Sequence, residues 1–408
     1  MARVEVEGTA DDLAFLRTPR AVRERSRRLF ERARAGESAH FVVHTERLDA
    51  AAAAVARVAK EHRAVDHAPT HGRLRHFDAG GEARLSALDA RLDCLPVAER
   101  ARTKIDLVVP SVLLDAGAGD RWVYVTGGAR HARSEGLAVA SYELFMRGGF
   151  SSGNSDLCTN ADGLARLDTN ALARAFQVTA ENPLVGIEGR AKTLARLGVA
   201  LTRAPDVFGP DGRPGNLLDA LRARATAGRV KAAEVMALLL ALLGDVLPGA
   251  VSVGGVALGD AWHHRGLGAG ALGVVPFHKL TQWLTYSLVE PLGEGGVAVD
   301  DLEELTGLAE YRNGGLFLDL GVLEMRDRRA TDRVHLSGDE LVVEWRALTV
   351  TLLDELAPRT RALLGDTAST MAPGTLEALT WAAGREAAYE RRPHGAPPLH
   401  LELDGTLF

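Results

Sequence analysis

Apolar residues in this chain recur mostly at the helical period, and runs short and apolar enough for strands are few. That patterning leaves little room for a fold built on alternating βαβ units. Val22, Ser26, Leu29, Phe30 and Ala33 place one apolar stripe on an otherwise Arg-rich segment. Residues 48–59 are Ala-rich, with Ala50 to Ala54 consecutive, and need tertiary packing to hold a helix. Helical patterning returns over 134–147, and again after Asn182 as N-cap and Pro183 as first helical residue, running towards Arg203. It continues over 217–243, 276–290, 339–364 and 373–391, and Asp300 with Glu303 reads as a capping box. The strand candidates are 107–114, which serves equally as buried helix, and Trp122-Val-Tyr-Val-Thr126. Polar residues 148–163 and the cluster Pro210-Asp-Gly-Arg-Pro-Gly215 read as loop and turn. The expectation is a mostly α protein with a small β element. An N-terminal part, 1–165, holds the short strands, a C-terminal part, 166–408, carries the chemistry, and the two form one integrated unit.

Composition narrows the function classes. Of 408 residues, 46% are hydrophobic and 25% charged, ordinary for a globular chain. A net charge of −6 recruits neither nucleic acid nor an anionic membrane. Two cysteines, Cys94 and Cys158, make no disulfide framework and fit a reducing compartment. The acidic start lacks a secretory apolar region, and the apolar run 235–244 stops at Asp245, so a cytoplasmic location is expected. Arginine outnumbers lysine 43 to 5, which marks each retained ammonium, Lys279 among them, as a place where guanidinium was not substituted.

Four tempting patterns are set aside. Gly149-Phe-Ser151-Ser-Gly153 matches a nucleophile elbow, but helix rather than strand precedes it. Gly268-Ala-Gly270-Ala-Leu-Gly273 follows no strand and reads as a Gly/Ala connector. His62, His67, His71 and His76 are spaced loosely for zinc, with Pro69 interrupting and no nearby cysteine; a solvated loop is preferred and no metal site is assigned. The arginines from Arg17 to Arg28 fit the polar face of an amphipathic helix.

Two segments carry chemistry. In 276–288, Phe277, Leu280, Leu284 and Leu288 make a core stripe, while Lys279, Trp283 and Tyr286 share another face. A cation beside two aromatics suits a ligand with a phosphate and a flat group; wide core residues passed by a snorkelling lysine suit the spacing equally. In 302–315, Leu302, Leu305 and Ala309 face the core and Gly314-Gly315 ends the helix. Glu310, Tyr311 and Arg312 then fall in its last turn, where the helix dipole disfavours a carboxylate. Glu310 is thus either a surface ion-pair partner or a tuned functional group.

These residues resemble a known family. Glu181-Asn-Pro-Leu-Val-Gly-Ile-Glu-Gly-Arg-Ala-Lys192, Pro276-Phe-His-Lys-Leu-Thr-Gln-Trp-Leu-Thr-Tyr-Ser-Leu288 and Leu305-Thr-Gly-Leu-Ala-Glu-Tyr-Arg-Asn-Gly-Gly-Leu316 are similar to the fourth uracil-catabolism protein family of fungi and bacteria, over essentially the whole chain. A more distant similarity is to the queuosine 5′-phosphate salvage N-glycosidases, whose fold is like that of helical DNA glycosylases with a cleft between helical subdomains. Their Leu-Thr-x-x-Ala-Asp-Tyr-Arg puts a catalytic Asp at Glu310, one methylene longer here, and their Phe-Tyr-Lys-x-x-Gln puts a phosphate-binding Lys at Lys279. Glu344-Trp-Arg346 matches a later Glu-x-Arg pattern. Asp115 and Arg190 match more loosely, Arg190 with a two-residue insertion.

The resemblance implies hydrolysis of the N-ribosidic bond of a ureido-ribose 5-phosphate, with release of urea. Glu310 would stabilise the oxocarbenium-like transition state and deprotonate water. Lys279, with His278 and Arg190, would hold the phosphate; Arg312 or Tyr311 would orient Glu310; Trp283 and Tyr286 would wall the pocket; and Asp115 would meet ribose hydroxyls or urea nitrogens. No cofactor is called for. The expected partner is a sugar-phosphate substrate, with no membrane or nucleic acid and with pathway enzymes as further partners. The alternatives are an N-glycosidase acting on a modified nucleoside 5′-monophosphate, a non-catalytic nucleic-acid-binding protein of the same fold, and a non-catalytic partner that channels an intermediate.

Overall fold

Helices form where the apolar stripes are, and their ends follow from identifiable caps. The computed structural model describes residues 3–61, 72–153, 157–247, 249–365, 373–402 and 404–407. It is a mostly α protein with short, scattered strands. Thr18 accepts from the Ala21 amide and Pro19 takes the first position of helix Pro19–Arg34, whose stripe Val22, Ser26, Leu29, Phe30 and Ala33 is buried. The Ala-rich segment is helix Leu48–Glu61, with Ala51, Ala52, Val55 and Ala59 buried. Among the described residues, no helix is long and apolar enough to cross a membrane.

Contacts divide the chain into two compact units, each assembled from separate stretches: Met1–His71, Gly249–Gln282 and Leu302–Glu402 in one, Gly72–Pro248, Trp283–Asp301 and Leu403–Phe408 in the other. None of the crossings lies at 165–166.

In the first unit, the long helix Glu340–Leu364 packs on Pro19–Arg34 and Leu48–Glu61, and Tyr311–Asp319 packs on Pro373–Arg391. Strand Val4–Val6 runs parallel to Val251–Val253, in register Val4↔Val251, and Val256–Ala257 closes the sheet antiparallel. Ala261–His263 pairs antiparallel with Val274–Pro276. Leu16, Val251, Val253, Leu258, Ala261, Ala271 and Val274 fill the core beneath them. The glycine-rich 268–273 stretch is part of this connection, with Gly270–Gly273 a 3-10 turn.

The second unit corrects several expectations. Of the two readings open for residues 107–114, the helical one holds: they end helix Val97–Leu113, with Pro110 inside it. Proline removes the amide that would bond the Asp106 carbonyl, and the Thr159 hydroxyl takes that carbonyl instead, at 2.6 Å. The predicted strand does form, as Val123–Thr126, hairpinned with Ala129–Ala132. Asn182 caps no helix; its side chain accepts from the Val123 amide and donates to the Val123 carbonyl, so it extends the hairpin edge. The helix starts later, at Ile187, after left-handed Gly186, where a Cβ would strike the backbone of Asp404 and Gly405. The 217–243 stretch is two helices, Leu217–Arg224 and Ala232–Leu243. Ala227 and Gly228, both at positive φ, turn the chain between them into strand Arg229–Lys231. Asp300 ends strand Ala298–Asp300 and pairs with Arg229 instead of capping a helix.

Candidate active site

The site is built on the first unit, where two sharp breaks in the chain are held face to face. The first follows strand Val274–Pro276. Pro276, Phe277 and His278, inside the helix read from the sequence, lie outside it here: His278 sits at φ +49° and helix Lys279–Glu294 begins only after it. A left-handed residue here is costly without glycine, and buried hydrogen bonds fix it. The Asp260 carbonyl accepts from the Phe277 and His278 amides, and the Asp260 carboxylate accepts from the Lys279 amide at 3.0 Å. That carboxylate, 1% exposed, also receives a two-pronged ion pair from Arg346 at 2.7 and 2.8 Å and a bond from the Trp262 indole. Burial alone would push the Asp260 carboxyl up; Arg346, Trp262 and the Lys279 amide outweigh it and hold the carboxyl below the usual range. Gln282 bonds the Phe277 carbonyl and the Thr306 amide and hydroxyl, tying this break to the second.

The second break is at Glu310, and the structure reverses the sequence reading of it. Residues 302–310 are not a helix ended by glycine: Leu302–Glu304 is a 3-10 turn, and the α-helix begins after Glu310, as Tyr311–Asp319, with Gly314 and Gly315 inside it. Glu310 is the N-cap. Its two oxygens accept the Arg312 amide, at 2.8 Å, and the Asn313 amide, at 2.5 Å. Capping and the dipole therefore favour an anion here. Burial, with 8% of the residue exposed, raises the carboxyl above its usual range against those two amides and the charges of Lys279 and Arg312. Arg346 joins the breaks: it donates to the Ala309 carbonyl at 3.1 Å and lies 4.0 Å over the Phe277 ring.

Lys279 and Glu310 thus share one neighbourhood. The Lys279 ammonium, nearly buried, exerts its field on Glu310 and on a second carboxyl, Glu377. Glu377, in helix Pro373–Arg391, accepts from the Leu308 amide at 2.9 Å and from the Asn313 side chain at 2.5 Å. One fully buried residue, Asn313, therefore holds Glu310 with its backbone and Glu377 with its amide. Burial, then the neighbouring Glu310, push the Glu377 carboxyl up to about 8.

The other expected residues are placed as follows. His278 is fully buried with Nε2 on the Leu16 carbonyl at 2.8 Å, and burial lowers its pKa; it is committed to the chain turn, as a neutral ring, and not to an anion. The Arg312 guanidinium donates to the Gly395 carbonyl and lies over the Tyr311 ring, so Arg312 orients Glu310 through its backbone amide. Glu344 takes the Ser38 hydroxyl. Asp115, Arg190, Trp283 and Tyr286 belong to the second unit. There Asp115 pairs with Arg73 at 3.2 Å and accepts from Ser134. Arg190 spends its donors on the carbonyls of Leu114, Ala116, Gly117 and Val185, a clamp on the chain and not an open fork. Trp283 packs against His76 and under Arg73, and Tyr286 is 2% exposed. His62, His67 and His71 lie outside the described residues; burial pushes the pKa of His76 down to about 4. Ser151 bonds the Gly153 amide and the Cys158 thiol in a loop after helix Arg133–Met146, which is no nucleophile elbow.

Compared with known proteins, residues 15–408 match the family described as protein of unknown function (DUF1688). The chain belongs to this family. It is 36% identical to uracil catabolism protein 4 of Lachancea kluyveri over 435 residues, 97% of this chain and 99% of that one. It is 42% identical to protein urg3 of Schizosaccharomyces pombe over 356 residues, 83% of this chain and 84% of that one.

Sequence reading of this DUF1688 chain missed Glu377, Asn313 and Asp260. Glu377 stands in an unremarkable Ala-rich helix, and its weight comes from the approach of that helix to Tyr311–Asp319. Asn313 was inside a quoted motif; once Glu310 is placed as N-cap, its third-position amide follows from capping geometry.

Proposed function

We propose that this DUF1688 protein hydrolyses the N-ribosidic bond of a ureido-ribose 5-phosphate, releasing urea in the breakdown of uracil. The observation that carries the proposal is the buried Glu310 carboxylate, fixed by two amides within the field of Lys279. The name of the Lachancea kluyveri relative supplies the metabolic setting.

As the C1′–N bond lengthens, positive charge grows on C1′ and the ring oxygen. A carboxylate already oriented at low dielectric stabilises that charge with no reorganisation. Glu310 meets this demand: its lone pairs not taken by the amides face the developing cation, and it takes a proton from the attacking water. Lys279 supplies the positive charge that a 5-phosphate needs, and binding energy from the phosphate positions C1′. Asp260, Arg346 and Gln282 keep the two chain breaks at a fixed separation.

The test is urea release from synthetic ribosyl-urea 5-phosphate by the purified protein, beside a panel of nucleoside 5′-monophosphates. Glu310→Gln is expected to lower kcat by about 10²–10³-fold with substrate Kd retained. Lys279→Ala is expected to raise KM about 10–100-fold for the phosphorylated substrate, the worth of one charge-assisted bond, and to leave unphosphorylated ribosyl-urea nearly unaffected. Base release from the nucleotides without urea release from ribosyl-urea phosphate would replace the substrate. Full activity in Glu310→Gln would remove the mechanism.

A further inference from the structure

We infer that Glu377 is the proton donor to the leaving nitrogen, working as a pair with Glu310 across Asn313. The inference rests on the N-ribosidase reading and adds to it the acid that the reading lacks. Urea nitrogen is a poor leaving group as an anion, so a carboxylate that only stabilises C1′ leaves half of the bond cleavage unassisted.

The geometry carries the assignment. Asn313 donates its backbone N–H to Glu310 and its side-chain N–H to Glu377, and its amide also donates to the Leu308 carbonyl at 3.0 Å, so it has no freedom to swing. The Leu308 amide fixes the other Glu377 oxygen. Two carboxyls held on one buried residue do not both ionise cheaply, because the charge of one raises the pKa of the other. Their donors differ in kind. Glu310 has two backbone amides at a helix N-terminus, which favour the anion. Glu377, in a helix interior, has one amide and one neutral side-chain donor, so it keeps the proton. Burial, with Glu310 adjacent, sets its pKa at about 8, which leaves it protonated at neutral pH. Lys279 and Arg312 act on the pair with their charges, Lys279 on both carboxyls and Arg312 on Glu310. Glu377 also lines a cavity of about 340 Å³, whose charged members are Arg23, Glu303, Asp354 and Arg361.

The step balances. The C1′–N pair leaves with nitrogen, which takes the Glu377 proton; water oxygen bonds C1′ and yields its proton to Glu310. Transfer of that proton from Glu310 to Glu377 restores the starting state, and the net change is addition of one water.

The experiment compares wild type, Glu377→Gln and Glu310→Gln on two substrates: ribosyl-urea 5-phosphate, whose leaving group needs a proton, and 4-nitrophenyl riboside 5-phosphate, whose leaving group does not. Glu377→Gln is expected to lose about 10²-fold or more on the urea substrate, to stay within about threefold of wild type on the nitrophenyl substrate, and to lose the fall in kcat/KM on the alkaline side. Glu310→Gln loses activity on both. Equal loss on both substrates in Glu377→Gln, or none on either, overturns the proton-donor role. In parallel, the carboxyl ¹³C shift of Glu377 is titrated in wild type and in Glu310→Gln. A lower pKa in the variant shows that Glu310 keeps Glu377 protonated, and an unchanged one overturns the pairing. A wild type inert on both substrates with that coupling present overturns the substrate reading while the pair stands.

Discussion

Asp260 takes four hydrogen bonds on one buried carboxylate and two more on its own carbonyl, and all six set the chain path into Lys279. A buried ion pair of this kind costs much to break and contributes less to make, because the partner left behind is a desolvated charge. Asp260→Ala strands Arg346, so it is expected to lower unfolding free energy by about 3–5 kcal/mol in a urea titration. The double variant Asp260→Leu with Arg346→Met is expected to recover much of that stability while kcat stays low, because Lys279 and Ala309 then lose their common anchor. A double variant as unstable as the single one would mean that the pair matters for fold alone. At this scale the sequence was legible where a residue type is chemically committed. Lys279 and Glu310 stood out by resemblance, and Arg346 fell in a matched Glu-x-Arg pattern. Asp260 and Glu377 carry no local signal for their role: the Arg346 that keeps Asp260 charged lies 86 residues away, and the partners of Glu377 lie 69 and 64 residues away.

Helix Tyr311–Asp319 shows why the direction of an element can be misread when its residues are correctly picked out. Gly314-Gly315 looks like a stop because glycine favours helix ends and costs about 1 kcal/mol inside. Here both glycines are interior because neighbours press on them: a Cβ at Gly314 would come within 2.7 Å of the Trp345 ring, and one at Gly315 within 3.3 Å of Pro398. The same economy joins the two helices that carry the carboxyls. A Cβ at Gly384 would lie 2.2 Å from the Arg312 carbonyl oxygen, so Pro373–Arg391 approaches Tyr311–Asp319 only because Gly384 has none. Gly384→Ala is expected to cost about 1–3 kcal/mol, as overpacking does. It is also expected to lower kcat more than it raises KM, by spreading Glu377 from Glu310; thermal unfolding and steady-state kinetics on ribosyl-urea phosphate measure the two. Unchanged kinetics in a destabilised variant would separate helix spacing from chemistry. By contrast, Glu340–Leu364 and Pro373–Arg391 were readable nearly to the residue, because long helical patterning leaves no competing period even across Pro358 and Gly384.

On the scale of the chain, neither unit is a continuous stretch of sequence, and that is the part periodicity does not encode. The first unit takes residues from the N-terminal strand Val4–Val6, which lies parallel to Val251–Val253, and from the C-terminal strand His400–Leu401, which lies parallel to Val334–His335. The second brings Arg229–Lys231 beside Ala298–Asp300 and seats Gly186 against Asp404 and Gly405. Parallel pairing between such remote strands needs the loops closed before any contact rewards it. A division at 165–166, natural from the distribution of motifs, therefore severs both units. It parts helix Pro19–Arg34 from Glu340–Leu364 in one, and Val97–Leu113 from its packing partner Ile187–Arg203 in the other. Fragments 1–165 and 166–408 expressed separately are each expected to lack a cooperative thermal transition, and a mixture folded together from denaturant is expected to regain one. A cooperative transition in either fragment alone would show a folding unit that follows the sequence order, and the Lys279–Glu310 neighbourhood would then have to be stable without residues 1–61. That outcome conflicts with the burial of His278 against the Leu16 carbonyl, which makes the N-terminal segment part of the turn that sets Lys279 in place.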